Sequence, residues 1–304
     1  MFKEPRTSEL SSFENHIDGV PIGVLLFSCP DKVGVIAALV NFFTDRELNI
    51  LRYEEITEDG YHFSRCEWAL DSRWDNEPDF DKEFTSYAQA FDGTFDVMFM
   101  DRKQTLGLFV SKQEHALSEV LTRFEVSHSP MVEVAFIIGN DESVSDIADR
   151  HGVPFFYIPT NVSKSGDGLA FEAKQLEIVQ RYKPDLLGLA CYMQALSANF
   201  IQETTCPIIN VSHSSLLPYN GDNLYRTAYE KGAKLIAATA HFTTAEVGHG
   251  PIIEQDVVSI DSGSSLQDIE GLGRVVEQSV FIEALLKVIK RKAIVFKNRT
   301  VIFN

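Results

Sequence analysis

Apolar residues recur along this chain in two rhythms, and the change from one to the other divides it. From Ile22 to Ser28 a short apolar run ends in Cys29-Pro30-Asp31-Lys32-Val33-Gly34, after which Val35, Ile36, Leu39, Val40, Phe42 and Phe43 recur at helical spacing. The pattern predicts strand, turn, helix. Asn49 to Ile56 and His62 to Leu70 read as two strands joined by the turn signal Glu58-Asp59-Gly60. Asp79 to Phe91 reads as a second amphipathic helix and Phe95 to Met100 as a closing strand. This order is the ferredoxin-like split β-α-β pattern, in which two helices cover one face of an antiparallel sheet.

Asp101-Arg102-Lys103-Gln104 is a polar break, and a second rhythm starts at Thr105. Apolar runs at Leu106 to Val110, Val132 to Ile138, Phe155 to Ile158 and Leu186 to Ala190 alternate with amphipathic stretches at Ala116 to Phe124, Val144 to His151 and Gly168 to Tyr182. Such alternation predicts an α/β domain built on a doubly wound, mainly parallel sheet, with ligand sites at the carboxyl ends of its strands. Pro207 to Val211, Leu235 to His241 and Ile252 to Ile260 are further strands, Leu224 to Lys231 is helical, and Leu266 to Lys290 is a long closing helix. Two domains are expected, 1–101 and 102–304.

Composition narrows the class. With 44% hydrophobic and 23% charged residues in 304, the chain has the balance of a globular protein with a sizeable core. A net charge of −17 repels a phosphate backbone, so no nucleic-acid partner is expected. The compact basic run from Lys287 to Lys292 reads as the last turn of a helix, where the dipole favours cations. Cys29, Cys66, Cys191 and Cys206 are far apart, without a metal-ligand or disulfide spacing, and read as reduced thiols. Met1 to Val20 lacks the apolar segment of a secretory signal, and no apolar run is long enough to span a bilayer, so a cytoplasmic location without a membrane partner is expected.

Two resemblances add to this reading. Cys29 to Ile36, with Asn49-Ile50 after the helix, resembles the start of an ACT domain, a small regulatory module of ferredoxin-like fold. Such modules pair side by side and often bind amino acids, which implies a homodimer or homotetramer, with the first domain either binding an amino acid or serving pairing alone. The second domain carries Asn210-Val211-Ser212-His213-Ser214-Ser215-Leu216-Leu217-Pro218 and, further on, Gly250-Pro251-Ile252-Ile253-Glu254-Gln255-Asp256-Val257. Both stretches resemble the active-site signature of formyltetrahydrofolate deformylases and the wider folate formyltransferases. Val110-Ser111-Lys112, Tyr192 to Ser197, Ala228 to Gly232 and Ala238-Thr239-Ala240-His241 agree with the same family, and an ACT domain ahead of a formyltransferase-like domain matches the deformylase order.

The resemblance implies hydrolysis of 10-formyltetrahydrofolate to formate and tetrahydrofolate, within the one-carbon supply of purine biosynthesis. A folate is then the substrate, and no prosthetic group is expected. Formyl transfer to water passes through a tetrahedral intermediate, which needs a donor to the oxyanion and groups that manage protons. The family uses an amide, an imidazole and a carboxylate. Asn210 fits the amide. The imidazole position has two registers: aligned on Ser215-Leu216-Leu217-Pro218 it is His213, and counted without gaps from Asn210 it is Ser212. In an extended strand Asn210 shares a face with Ser212 and not with His213 unless a bulge intervenes. The acid position falls on Gly248, leaving Glu246 or His249 to stand in. A catalytically altered homologue that binds folate or another ligand, or carries out a different folate-dependent one-carbon transfer, is the alternative. Tyr192, Met193, Leu196, His241, Gly250 and Pro251 are expected at the folate site, with core packing the competing role for the first three. His213, His241 and His249 match no metal-site spacing, so no metal is expected.

Overall fold

The computed structural model describes residues 16–17, 20–70, 77–126, 132–160, 168–212, 224–245 and 250–304. The chain divides into two compact units: Met1–Lys103 with Arg291–Ile294 and Val301–Asn304, and Gln104–Lys290 with Val295–Thr300.

In the first unit β1 (His16–Ile17) and β2 (Val20–Pro30) precede α1 (Val35–Thr44), β3 (Ile50–Glu58), β4 (Tyr61–Ala69), α2 (Glu77–Ala90) and β5 (Thr94–Phe99). β2 pairs with β4, with β5 and, at its start, with β1, while β3 pairs with β4, all antiparallel. Gly34, just before α1, has φ of 95°, a left-handed turn that a residue with a Cβ rarely adopts. Leu39, Phe42 and Phe43 of α1 and Phe80, Phe84 and Ala88 of α2 join Leu25, Phe27, Cys66, Trp68 and Phe99 in one cluster, so both helices cover the same face. This is the split β-α-β arrangement that the apolar pattern predicts.

Trp68 anchors that cluster, stacking on Phe80 at 4.7 Å between ring centroids. Its indole lies over Gly23, where a Cβ would come within 2.2 Å of the ring. On the opposite face the buried Arg65 is met by Glu67, by Glu54 at 3.1 Å and by the carbonyl of Arg291 at 2.9 Å. A buried guanidinium is tolerated there because several of its donors are satisfied.

The second unit comprises β6 (Gln104–Val110), α3 (His115–Val126), β7 (Val132–Gly139), α4 (Ser145–Arg150), β8 (Phe155–Tyr157), α5 (Gly168–Tyr182), β9 (Leu186–Ala190) and α6 (Ala198–Glu203). It continues through β10 (Ile208–Ser212), α7 (Leu224–Glu230), β11 (Leu235–Phe242), β12 (Ile252–Ser259) and α8 (Leu266–Ile289). A terminal hairpin of β13 (Ala293–Phe296) and β14 (Arg299–Ile302) follows, of which Ala293–Ile294 and Val301–Ile302 belong to the first unit. The sheet order is β12-β11-β10-β9-β6-β7-β8. Pairing is parallel from β10 to β8, and β11 and β12 are antiparallel additions at one edge.

β6, first in sequence, lies between β7 and β9, so chain order reverses beside it. Loops leave in opposite directions at such a point and open a crevice at the carboxyl ends of the strands. Leu187 and Leu189 of β9 pack with Val179 of α5, Phe200 of α6 and Ile208 of β10 on one face. Gly188 turns to the other, where a Cβ would sit 3.0 Å from the Phe281 ring of α8. No helix among the described residues is long and apolar enough to cross a membrane.

The position of the Trp68 ring makes Gly23 a sharp test of packing in the first unit. Gly23→Ala is expected to destabilise it by about 1–3 kcal/mol through overpacking, read as a lower midpoint in thermal unfolding followed by circular dichroism. An unchanged midpoint would mean that the ring does not lie over this position.

Candidate functional site

β10 carries the motif residue Asn210, and its neighbours on both sides set what surrounds it. Asn210 is level with Leu189 in the parallel pairing to β9 and directly opposite His241 in the antiparallel pairing to β11. Ser212 is opposite Thr239, with no register shift between the two pairs. Directly opposed residues of an antiparallel pair share a face, with Cβ atoms about 4.5–5.5 Å apart. Asn210, Ser212, Thr239 and His241 therefore form a polar square on the α5 side of the sheet, while Ile209 and Val211 are buried on the other. His213, Glu246, Gly248 and His249 lie outside the described residues.

Two of these side chains have defined partners. His241 is buried, and its Nδ1 lies 3.0 Å from the carbonyl of Phe242. A carbonyl only accepts, so Nδ1 carries the proton, and in the neutral ring Nε2 keeps its lone pair. Thr239 Oγ accepts from Gln255 Nε2 at 2.8 Å. The chain then returns close over the end of β11: Phe242 donates its N–H to the Pro251 carbonyl at 2.9 Å. A Cβ on Gly250 would lie 1.6 Å from the Phe242 carbonyl oxygen and 3.2 Å from His241 Nδ1. The glycine of the motif is thus required by the close approach of two backbones beside His241, whatever else the loop contributes.

The segment after β9 is held from α5. Gln175 Nε2 donates to the Tyr192 hydroxyl at 2.9 Å, and the buried Glu172 accepts from the Ser197 N–H at 2.8 Å and from its hydroxyl. Ser197 in turn caps α6. Tyr192 and Leu196 are buried in the core with Phe109 and Phe200, whereas Met193 is exposed and donates its N–H to Ser111 Oγ at 3.0 Å. Burial raises the Tyr192 phenol to about 12, so it stays protonated at neutral pH.

On the opposite face of the sheet the structure assembles a second polar group that residue spacing does not suggest. Glu277 of α8 is buried, and its carboxylate faces three side chains. His115 Nε2, at the start of α3, is 2.7 Å from Glu277 Oε2. Cys191 Sγ is 3.6 Å from the same oxygen and 3.3 Å from His115 Nε2. The Tyr225 hydroxyl of α7 donates to Glu277 Oε1. Burial, reinforced by the Glu277 charge, pushes the Cys191 thiol and the Tyr225 phenol well above their ordinary ranges.

Local structure prepares each member. Cys191 has φ of 52°, in the left-handed region, and so breaks the alternation of β9. A continuing strand would send it to the Leu189 side, away from α8. Gly273 lies one turn before Glu277, and a Cβ there would come within 2.4 Å of the Tyr225 hydroxyl oxygen. The bare helix surface lets the ring reach across α8 to the carboxylate. One sign of this group does stand in the sequence: a glutamate on the apolar stripe of Val276, Val280, Phe281 and Ala284.

Replacing Gly250 tests the backbone approach beside His241. Gly250→Ala is expected to lower the thermal midpoint by several degrees, the response to about 1–3 kcal/mol of overpacking in a domain of this size. It should also shift the His241 ring resonances in proton NMR spectra. Unchanged stability and unchanged resonances would place Gly250 away from the end of β11.

Residues 106–285 match the family model described as formyl transferase. The formyltetrahydrofolate deformylase of Bacillus subtilis (strain 168) is 34% identical over 285 residues, covering 93% of this chain and 94% of that protein. That of Synechocystis sp. is 35% identical over 281 residues, covering 92% and 97%. The crystal structure of a formyltetrahydrofolate deformylase from Pseudomonas syringae pv. tomato superposes with a TM-score of 0.88 at 28% identity, over 95% of this chain and 96% of that one. Similarity of this extent, running through both compact units and through the strand that carries Asn210, establishes that the chain belongs to the formyltetrahydrofolate deformylase family.

Proposed function

We propose that this protein hydrolyses 10-formyltetrahydrofolate to formate and tetrahydrofolate at the carboxyl end of β10. The observation that carries the reading is the polar face shared by Asn210, Ser212 and His241, in a chain whose relatives named above are formyltetrahydrofolate deformylases. Water adds to the formyl carbon and gives its proton to a base, and charge gathers on the former carbonyl oxygen. Collapse breaks the bond from carbon to N10, which takes a proton as formate leaves. The Asn210 amide donates to the oxyanion, where a fixed donor stabilises the transition state more than the ground state.

Proton transfer is where this chain departs from the family's trio. The unbroken ladder through Ser212 supports the ungapped register, with Ser212 at the imidazole position and Gly248 at that of the acid. A hydroxyl without a partner base is a poor proton acceptor. The base is therefore an imidazole: His241, with its Nε2 lone pair on the face of Asn210, or His213 or His249, which in the sequence follow β10 and precede Gly250. Glu246 is the carboxylate candidate. Gly250 and Pro251 shape the wall beside His241, and Tyr192, Met193 and Leu196 form the side held by α5.

The folate is the substrate, and no prosthetic group is required. Residues 102–304 form the catalytic domain, and residues 1–101 act as an ACT-type regulatory domain, a reading supported by its split β-α-β order. An amino acid is the ligand class for that domain, and pairing through it gives a homodimer or homotetramer. A cytoplasmic place in purine one-carbon supply completes the proposal.

Incubation with 10-formyltetrahydrofolate should release formate in step with tetrahydrofolate. Asn210→Ala should lower kcat by about 10²–10³-fold with little change in KM, the loss typical of one oxyanion donor. A base that acts in its deprotonated form gives a kcat/KM that rises with pH to a plateau. Folate binding without formate release would replace hydrolysis by a binding role, and neither binding nor turnover would remove folate from the account.

A further inference from the structure

We propose that His115, Cys191 and Glu277 bind a divalent transition-metal ion of the zinc type. One nitrogen, one sulfur and one carboxylate oxygen lie within 4.8 Å of one another, a donor set suited to zinc or cobalt and poorly suited to magnesium or calcium. Zinc takes such donors at about 2.0–2.3 Å, which sets tetrahedral neighbours about 3.3–3.8 Å apart. The two sulfur separations, 3.3 Å to His115 Nε2 and 3.6 Å to Glu277 Oε2, already fall in that range. The nitrogen to oxygen separation of 2.7 Å has to open by less than 1 Å, a change within reach of side-chain rotation alone.

The supporting shell has the features of a built site. Tyr225 donates to Glu277 Oε1 and so turns Oε2 toward His115 and Cys191. Hydrogen bonds of this kind fix the orientation and basicity of a ligating carboxylate. Gln278 Nε2 donates to the His115 carbonyl at 3.0 Å, which ties the start of α3 to α8. Cys191 is held left-handed at the end of β9, the conformation that turns its sulfur to the α8 side. The donors come from the start of α3, which follows β6, and from the end of β9, where chain order reverses and α/β sheets place their ligands, and from α8 behind them. Three protein donors also leave a fourth coordination position for water or a substrate atom. This inference concerns residues on the opposite face of the sheet from Asn210 and stands independently of the folate reading.

The test uses the full chain, stripped with a chelator and titrated with zinc or cobalt ions. One ion should bind per chain, with release of protons from the thiol as the sulfur becomes a ligand. The cobalt form should show a thiolate-to-metal charge-transfer band in the near ultraviolet. Cys191→Ser should abolish that band and weaken binding by at least about 10-fold, and Tyr225→Phe, which keeps all three donors, should weaken it by about 10–100-fold. His151→Ala should bind as the unaltered chain does. Absence of stoichiometric binding, a cobalt spectrum without the thiolate band, or an affinity unchanged by Cys191→Ser would overturn the proposal. The cobalt spectrum of the unaltered chain decides it even if a variant fails to fold.

Discussion

Because β10 is hydrogen-bonded in parallel to β9 and in antiparallel to β11, the register of Ile208–Ser212 is set from both sides. A slip of one residue would exchange the two faces of the strand. Ile209 and Val211, now buried, would take the place of Asn210 and Ser212, and two polar side chains would enter the core. The hydrophobic pattern of five residues thus holds Asn210 opposite His241 and Ser212 opposite Thr239. Gly250 extends the constraint, since only a residue without a Cβ lets the chain pass so close to the Phe242 carbonyl as it enters β12. The face that presents Asn210 is a consequence of strand packing before it is a matter of side-chain chemistry.

On the other face one buried carboxyl group, that of Glu277, organises its surroundings. A carboxylate withdrawn from water is costly unless hydrogen-bonded or paired. Glu277 meets that need with groups from three further places in the chain, His115, Cys191 and Tyr225, and so links α3, the end of β9 and α7 to α8. Gly273 serves this cluster as Gly250 serves the first, by leaving room for a close neighbour, the Tyr225 ring at Gly273 and the Phe242 backbone at Gly250. Each polar group therefore rests on a glycine whose role is steric.

Much of the fold was legible because its elements are long enough to show a period. The strand, turn and helix around Gly34, the parallel core of the second unit and the long helix from Leu266 all stand where the apolar pattern puts them. The six residues of α6 complete less than two turns, too few for a repeat to register, and the terminal hairpin β13–β14 has strands of only four residues each. The direction of β11 and β12 carries no signature in their composition. At the site, Asn210 and Ser212 were legible through resemblance and strand alternation. The facing of Asn210 by His241 was not, because cross-strand register belongs to the sheet. Cys191 lies 76 residues from His115 and 86 from Glu277, so no local spacing could gather them.

On the proposed reading, the face of Asn210 on β10 receives the formyl group. A crystal structure of the full chain with a non-hydrolysable analogue of 10-formyltetrahydrofolate tests this placement. The analogue's formyl oxygen is expected within hydrogen-bond reach of the Asn210 amide nitrogen, with His241 on the same face of the sheet. An analogue bound elsewhere, with Asn210 not contacting the formyl group, would contradict it.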